Sequence, residues 1–154
     1  MNRSSLRFFV AAFLLLCFSA AMKADENLSY GNSEMLVVIN ALDYLGTPYL
    51  YGGIGKDGLD CSGLLYSAFR NLMDNPPRVS KDWLLRGSSV NDDFIPGDVL
   101  LFAENGIIFH VAIYVGDRFF IHAASAGQKT GVILSSLDEA YWSKYFYGAR
   151  RIFL

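Results

Sequence analysis

A chain of 154 residues is long enough for one domain with a substantial core and short for two. Its 53% apolar and 15% aromatic content excludes an intrinsically disordered protein. Thirteen basic residues stand against 15 acidic ones, with no basic run and no interleaving of Arg or Lys with aromatics, so nothing marks a nucleic-acid binder.

The apolar excess is concentrated at the start. Arg3 and Arg7 precede an almost unbroken apolar run from Phe8 to Ala21, followed by Ala24 and the acidic pair Asp25-Glu26. This is the pattern of a secretory signal peptide over residues 1–24, cut after Ala24 or Ala21. The run is shorter than the ~20 residues a spanning helix needs, so no stable membrane span is expected once it is gone; an uncleaved anchor is the alternative. Removal takes Arg3, Arg7 and Lys23 and no acid, leaving ten basic against 15 acidic residues, a net charge of −5. It also takes Cys17, so Cys61 becomes the only cysteine. Exported cysteines usually pair, and a lone one is a candidate reactive thiol. The expected location is the periplasm or the outside of the cell.

Residues 25–32 read as a short polar lead-in, and residues 33–154 as the domain. Ser33 to Leu45 reads as a helix, with Met35, Leu36, Val38, Ile39, Leu42 and Leu45 as its apolar stripe. Gly46 and Pro48 end it. Tyr49 to Gly58 holds four glycines in ten residues and forms a tight loop; it lacks the Gly-Lys-Ser/Thr ending of a phosphate-binding loop. A second helix is expected from Cys61 to about Met73, with Asp60 as N-cap and Asn75-Pro76-Pro77 as its end. A thiol at a helix N-terminus faces unpaired N–H groups and the positive end of the dipole, which favour the thiolate. Ser80 is placed as the cap of a short helix to Leu85.

After Pro96-Gly97-Asp98 the pattern changes to period two, rich in β-branched and aromatic residues. Strands are expected over Val99–Phe102, Phe109–Val115, Arg118–Ala123, Val132–Leu134 and Tyr147–Phe153, with a helix at Leu137–Tyr145. Helices first and antiparallel strands second make an α+β domain, with the N-terminal helices packed on a C-terminal sheet.

The two histidines, His110 and His122, both fall in the central hairpin. Side chains alternate along a strand, so a connection of odd length centred on Gly116 or Asp117 puts both rings on one face. A two-residue Gly116-Asp117 turn would put them on opposite faces. A cysteine nucleophile needs an imidazole to take its proton, and the imidazole needs a polar group on its other nitrogen. Cys61, His110 and His122 supply nucleophile, base and orienting group. The same three with Asp60 could instead bind zinc, but the paired spacing of zinc sites is absent.

Several pieces occur in order: Gly46-Thr47-Pro48-Tyr49 with Tyr51-Gly52-Gly53, Leu59-Asp60-Cys61-Ser62-Gly63, Pro77-Arg78 with Ser80, His110-Val111-Ala112-Ile113-Tyr114-Val115-Gly116, Phe120-Ile121-His122-Ala123, and Tyr141-Trp142. In this order and spacing the chain resembles the NlpC family of bacterial cell-wall cysteine peptidases, over about residues 33–153. The resemblance implies a papain-like fold with Cys61 as nucleophile, His110 as base and His122 as orienting residue. It implies that the Tyr49 hydroxyl points into the site, where with the Cys61 N–H it could form an oxyanion hole. It places Asp60 and Ser62 near the substrate's amino end, although capping alone would also explain Asp60. The activity implied is hydrolysis of amide bonds in peptidoglycan stem peptides or cross-links, by a monomer without metal or cofactor. The alternative is a catalytically silent peptidoglycan-binding or scaffolding protein on the same fold. Trp83 departs from the family's frequent glutamine, a change expected to alter substrate contacts; Ala112 and Tyr51 depart from a common glycine and tryptophan.

Overall fold

The structure, a computed structural model, describes residues 33–127 and 129–153. The expected leader (residues 1–24) and polar lead-in (25–32) lie outside the described residues. The elements are α1 (33–42), a small hairpin of β1 (Ile54–Gly55) and β2 (Gly58–Leu59), α2 (Cys61–Phe69), and a 3-10 turn at Ser80–Leu85. Then come β3 (Ser88–Val90), β4 (Val99–Glu104), β5 (Ile107–Gly116), β6 (Phe119–Ala124), β7 (Gly131–Ser136), α3 (Ala140–Tyr145) and β8 (Phe146–Arg151).

The six longer-range strands form one antiparallel sheet in the order β3-β8-β4-β5-β6-β7. Side chains alternate between its faces. Val99, Leu101, Val111, Ile113, Ile121 and Ala123 join α1 and α2 in one core cluster. Leu100, Phe102, Ala112, Tyr114 and Phe120 join Trp142 and Tyr145 of α3 in a second. The domain is therefore α+β, as expected, with helical structure against both sheet faces.

Helix α1 buries a different stripe from the one its apolar spacing suggests. Glu34, Val37, Val38 and Ala41 are buried, while Met35, Leu36, Ile39, Leu42 and Leu45 are exposed. The helix is apolar almost all round, so spacing alone does not select the buried side. It stops at residue 42, short of Leu45, because Tyr44 and Leu45 donate to carbonyls three residues back and Gly46 takes a φ of 82°. Gly46 and Thr47 then bond to Val132 of β7, fastening this corner to the sheet edge.

The glycine-rich loop folds back on itself. Leu59 N–H donates to Pro48 C=O, and Leu50 N–H donates to Leu59 C=O, so Tyr49 lies alongside the strand that leads into α2. Helix α2 is buried from Ser62 to Phe69 except at Tyr66. It ends at Phe69 rather than Met73, because both Leu72 and Met73 donate to Phe69 C=O and the chain coils away before Asn75. Ser80 makes no cap; Val79 takes that position and the Ser80 hydroxyl turns elsewhere.

The first turn of α2 sits directly on the glycine loop. A Cβ on Gly63 would lie 2.0 Å from Gly53 C=O, and one on Gly53 would lie 2.2 Å from Gly58 C=O. Both obstructions are backbone atoms that cannot rotate away. Gly63→Ala should therefore destabilise the domain by about 1–3 kcal/mol, read as a lowered urea midpoint. An unchanged midpoint would mean that this contact does not clamp the helix.

Candidate active site

Cys61 is the first residue of α2, and its neighbour Asp60 fixes that helix end. One Asp60 oxygen accepts from Gly63 N–H at 2.6 Å and from Arg78 Nη1 at 2.8 Å; the other accepts from Gly52 N–H at 2.8 Å and from Arg78 Nη2 at 3.0 Å. Ser62 Oγ donates to the first oxygen at 3.2 Å, and Arg78 also reaches Ser62 Oγ and Gly53 C=O. Burial alone would push the Asp60 pKa up. The hydrogen bonds from Arg78, Gly63 and Gly52 outweigh it and hold the carboxyl below its ordinary 3.8. The N-cap expected of Asp60 is present, and the same carboxylate also ties helix, glycine loop and the Arg78 segment together.

Cys61 is partly exposed and unpaired among the described residues. Its Sγ lies 3.3 Å from Ser80 Oγ, which is where that hydroxyl goes instead of capping. Tyr49 and Cys61 line a cavity of about 620 Å³ together with His110, His122, Ser135 and Trp142. Burial, with added repulsion from Cys61, Asp60 and Tyr51, pushes the Tyr49 phenol pKa up, so it keeps its proton as a donor. Asp60 and Ser62 do not line the cavity; they lie behind Cys61 in the Arg78 network.

The two imidazoles meet by a route the hairpin length did not reveal. The turn residues are Asp117 and Arg118, both at positive φ (48° and 65°), with Gly116 paired to Phe119. An even turn of this kind would send the rings to opposite faces. The register then shifts between Tyr114 and Gly116, so Val115 is a bulge, and Tyr114 pairs with Phe120 and Ile113 with Ile121. That single extra residue restores parity and gives the register centred on Asp117, with the rings offset by two on one face. A second shift between Phe102 and Ala103 leaves Phe109 unpaired on the cavity side and His110 opposite Phe102.

His110 Nε2 and His122 Nδ1 are 3.0 Å apart, and His122 Nε2 is 3.1 Å from Ser135 Oγ. Both rings stand against Trp142, at 5.0 Å and 4.8 Å between centroids. Since Nε2 of His110 is engaged, Nδ1 is the nitrogen left for chemistry. Burial lowers the pKa of His110, with His122 adding to the effect, and burial lowers that of His122. Both are neutral at pH 7.

Of the expected site residues, the structure brings Cys61, His110, His122 and Tyr49 to one cavity and sets Asp60 and Ser62 behind it. Sequence reasoning did not single out Ser135, because the strand was expected to end at Leu134. Trp83 is fully buried against Phe69, 4.9 Å between ring centroids, so its replacement of glutamine is a core change and not a cavity contact. Among the described residues no three His, Cys, Asp or Glu side chains converge as a metal site.

The buried neutral histidines set a pH dependence. Their folded pKa values lie below the ordinary 6.5, so between those values the unfolded chain binds more protons than the folded one. Stability is therefore full above pH 6.5 and falls as pH drops below it, by up to about 1.4 kcal/mol per pH unit for each ring. Urea unfolding between pH 7.5 and 5 should show that slope, and His122→Gln should flatten it. An identical slope in the variant would contradict the assignment.

Residues 46–151 match the family model described as NlpC/P60 family. The chain is 39% identical over 149 residues to the probable endopeptidase NlpC of Escherichia coli K12, covering 90% of this chain and 94% of that protein. It is 38% identical over 112 residues to the murein DD-endopeptidase MepS/murein LD-carboxypeptidase of the same strain, covering 71% of this chain and 58% of that one. A crystal structure of an NlpC/P60 family protein from Bacillus cereus superposes with a TM-score of 0.71 at 28% identity, over 79% of this chain and 40% of that chain. The shared papain-like α+β fold, the extent of the matched segment and the identity to endopeptidases along most of the length lead to one statement: this chain belongs to the NlpC/P60 family and is a cysteine endopeptidase.

Proposed function

We propose that the protein is an exported peptidoglycan hydrolase that cleaves amide bonds of stem peptides or cross-links through Cys61, His110 and His122. The observation that carries this reading is one cavity lined by Cys61 and His110, with His122 bonded to the far nitrogen of His110 at 3.0 Å. The named activities of the similar proteins, murein endopeptidase among them, support the substrate class.

His110 Nδ1 takes the Cys61 thiol proton, and the sulfur attacks the carbonyl carbon. The Tyr49 hydroxyl and the Cys61 N–H hold the negative oxygen of the tetrahedral intermediate. His110 then returns its proton to the leaving amine, which departs and leaves a thioester. Water, deprotonated by His110, attacks the thioester; the acid leaves and the thiol is restored. His122 keeps the His110 ring oriented throughout. Asp60 and Ser62 act near the substrate's amino end. The Asp60 carboxylate is engaged by Arg78, Ser62 and backbone N–H groups, and Ser62 Oγ by Asp60 and Arg78, so both act there by holding Arg78 and the helix end that carries Cys61.

Among the described residues no helix is long and apolar enough to cross a membrane. Export rests on residues 1–24, which are proposed to act as a cleaved signal peptide. Protein recovered from the cell envelope should begin at Asp25 or Met22; an intact Met1 would contradict cleavage.

Purified sacculi incubated with the wild type should release muropeptides, and Cys61→Ala should release fewer by at least about 10³-fold. Equal release by both proteins would overturn the nucleophile assignment, and mass spectrometry of the products identifies the bond. Tyr49→Phe should lower kcat by about 10–100-fold with little change in KM, whereas an unchanged kcat would remove Tyr49 from the oxyanion site.

A further inference from the structure

The hydrogen-bond chain that starts at His110 does not stop at the second histidine. Ser135 lies on β7, where it pairs with Phe120, while His122 pairs with Ile133. Phe120 and His122 are two residues apart on one face, so Ser135 reaches His122 diagonally across the strands, within side-chain range. Its Oγ is 3.1 Å from His122 Nε2, and Ser135 is itself buried at 7% exposure. The series therefore runs His110 Nε2, His122 Nδ1, His122 Nε2, Ser135 Oγ, with no carboxylate in it.

Two neutral imidazoles in contact share one proton between them, so the tautomer of one dictates that of the other. If His122 carries its proton on Nε2, its Nδ1 accepts from His110 Nε2–H, and His110 Nδ1 is a free lone pair facing the cavity. If His122 carries its proton on Nδ1, it donates to His110 Nε2. The His110 proton then sits on Nδ1, and the ring cannot take a proton from Cys61. A hydroxyl can accept from an Nε2–H or donate to an Nε2 lone pair, so Ser135 satisfies the far end of the chain in either arrangement. The working arrangement needs an acceptor at His122 Nε2–H, and a buried N–H without a partner is costlier than a buried lone pair without one.

We propose that Ser135 is a positioning residue of the endopeptidase: its hydroxyl oxygen accepts from His122 Nε2–H and thereby keeps populated the tautomer of both histidines that leaves His110 Nδ1 free as the base. This rests on the Cys61–His110–His122 reading given above. The hydroxyl also turns its oxygen toward the positive charge that builds on the pair when His110 holds the Cys61 proton. In that step the S–H bond breaks, the electron pair stays on sulfur, and the proton forms the Nδ1–H bond. No other group changes its covalent state. A hydrocarbon side chain at 135 leaves the Nε2–H unpaired, so the pair relaxes to the arrangement in which His110 cannot act.

Threonine and valine have the same shape and differ by the hydroxyl, so they separate a hydrogen-bond role from packing. With a soluble cross-linked muropeptide as substrate, Ser135→Val should lower kcat by about 10–100-fold with KM within twofold of wild type. Ser135→Thr should stay within about threefold of wild type. Long-range ¹H–¹⁵N spectra should show both rings protonated at Nε2 in the wild type and Ser135→Thr, and at Nδ1 in Ser135→Val. A valine variant as active as threonine, or unchanged tautomers in the valine variant, would overturn the proposal. The spectra need no turnover: if Cys61→Ala proved as active as wild type, the nucleophile reading would fail while the tautomers still judged Ser135.

Discussion

The arrangement depends first on one buried carboxylate. Asp60 sits immediately before Cys61 and accepts from three pieces of chain at once: the first turn of α2 through Gly63, the glycine loop through Gly52, and Arg78. A helix N-terminus leaves its first N–H groups unpaired, and a carboxylate is the strongest local acceptor for them. A buried carboxylate in turn needs a cation, and Arg78 provides a two-pronged one. Each partner satisfies the others, so the position of Cys61 follows from the hydrogen bonds of its neighbour. The close backbone approach at Gly63 and Gly53 is the steric side of the same constraint.

The second half of the site is assembled by sheet register. A two-residue turn with both residues at positive φ fits the right-handed twist of a hairpin, and alone it would separate the imidazoles. The bulge at Val115 removes that conflict, since an extra residue on one strand exchanges the faces of everything beyond it. The rings then pack at tilted and edge-on angles among Phe102, Phe120 and Trp142, an apolar setting that keeps both neutral. A pair that takes up a proton only against the cost of burial is suited to hold it briefly and pass it on.

Much of this was legible in the residues themselves. The cap at Asp60, the helix from Cys61 and the strands of the second half follow from capping chemistry and periodicity, whereas the shared face of the two histidines does not, since periodicity leaves an odd and a two-residue connection equally open. What was not legible shares a physical cause. Bulges at Val115 and Phe109 depend on tertiary pairing and leave no composition signal. Ser135 and Ser136 have weak strand preference, so residue type alone ends β7 before the residue that meets His122. Ser80 looks like a cap in sequence, yet its hydroxyl faces Cys61 Sγ, because Val79 already begins the turn. The exposed side of α1 was misread because apolar residues surround that helix, and Trp83 because its burial against Phe69 comes from distant packing.

A thiol packed on one core cluster and an imidazole set among the rings of the other line a single cavity. The proposed chemistry turns on Cys61 Sγ and His110 Nδ1 forming one proton-transfer pair. The most direct measurement is a crystal structure of the wild type carrying a peptide aldehyde bound to Cys61. A covalent thiohemiacetal is expected, with His110 Nδ1 within about 4 Å of Sγ and Nε2 still bonded to His122. An adduct in which His110 presents Nε2 to the sulfur, or in which the ring lies beyond that reach, would contradict it.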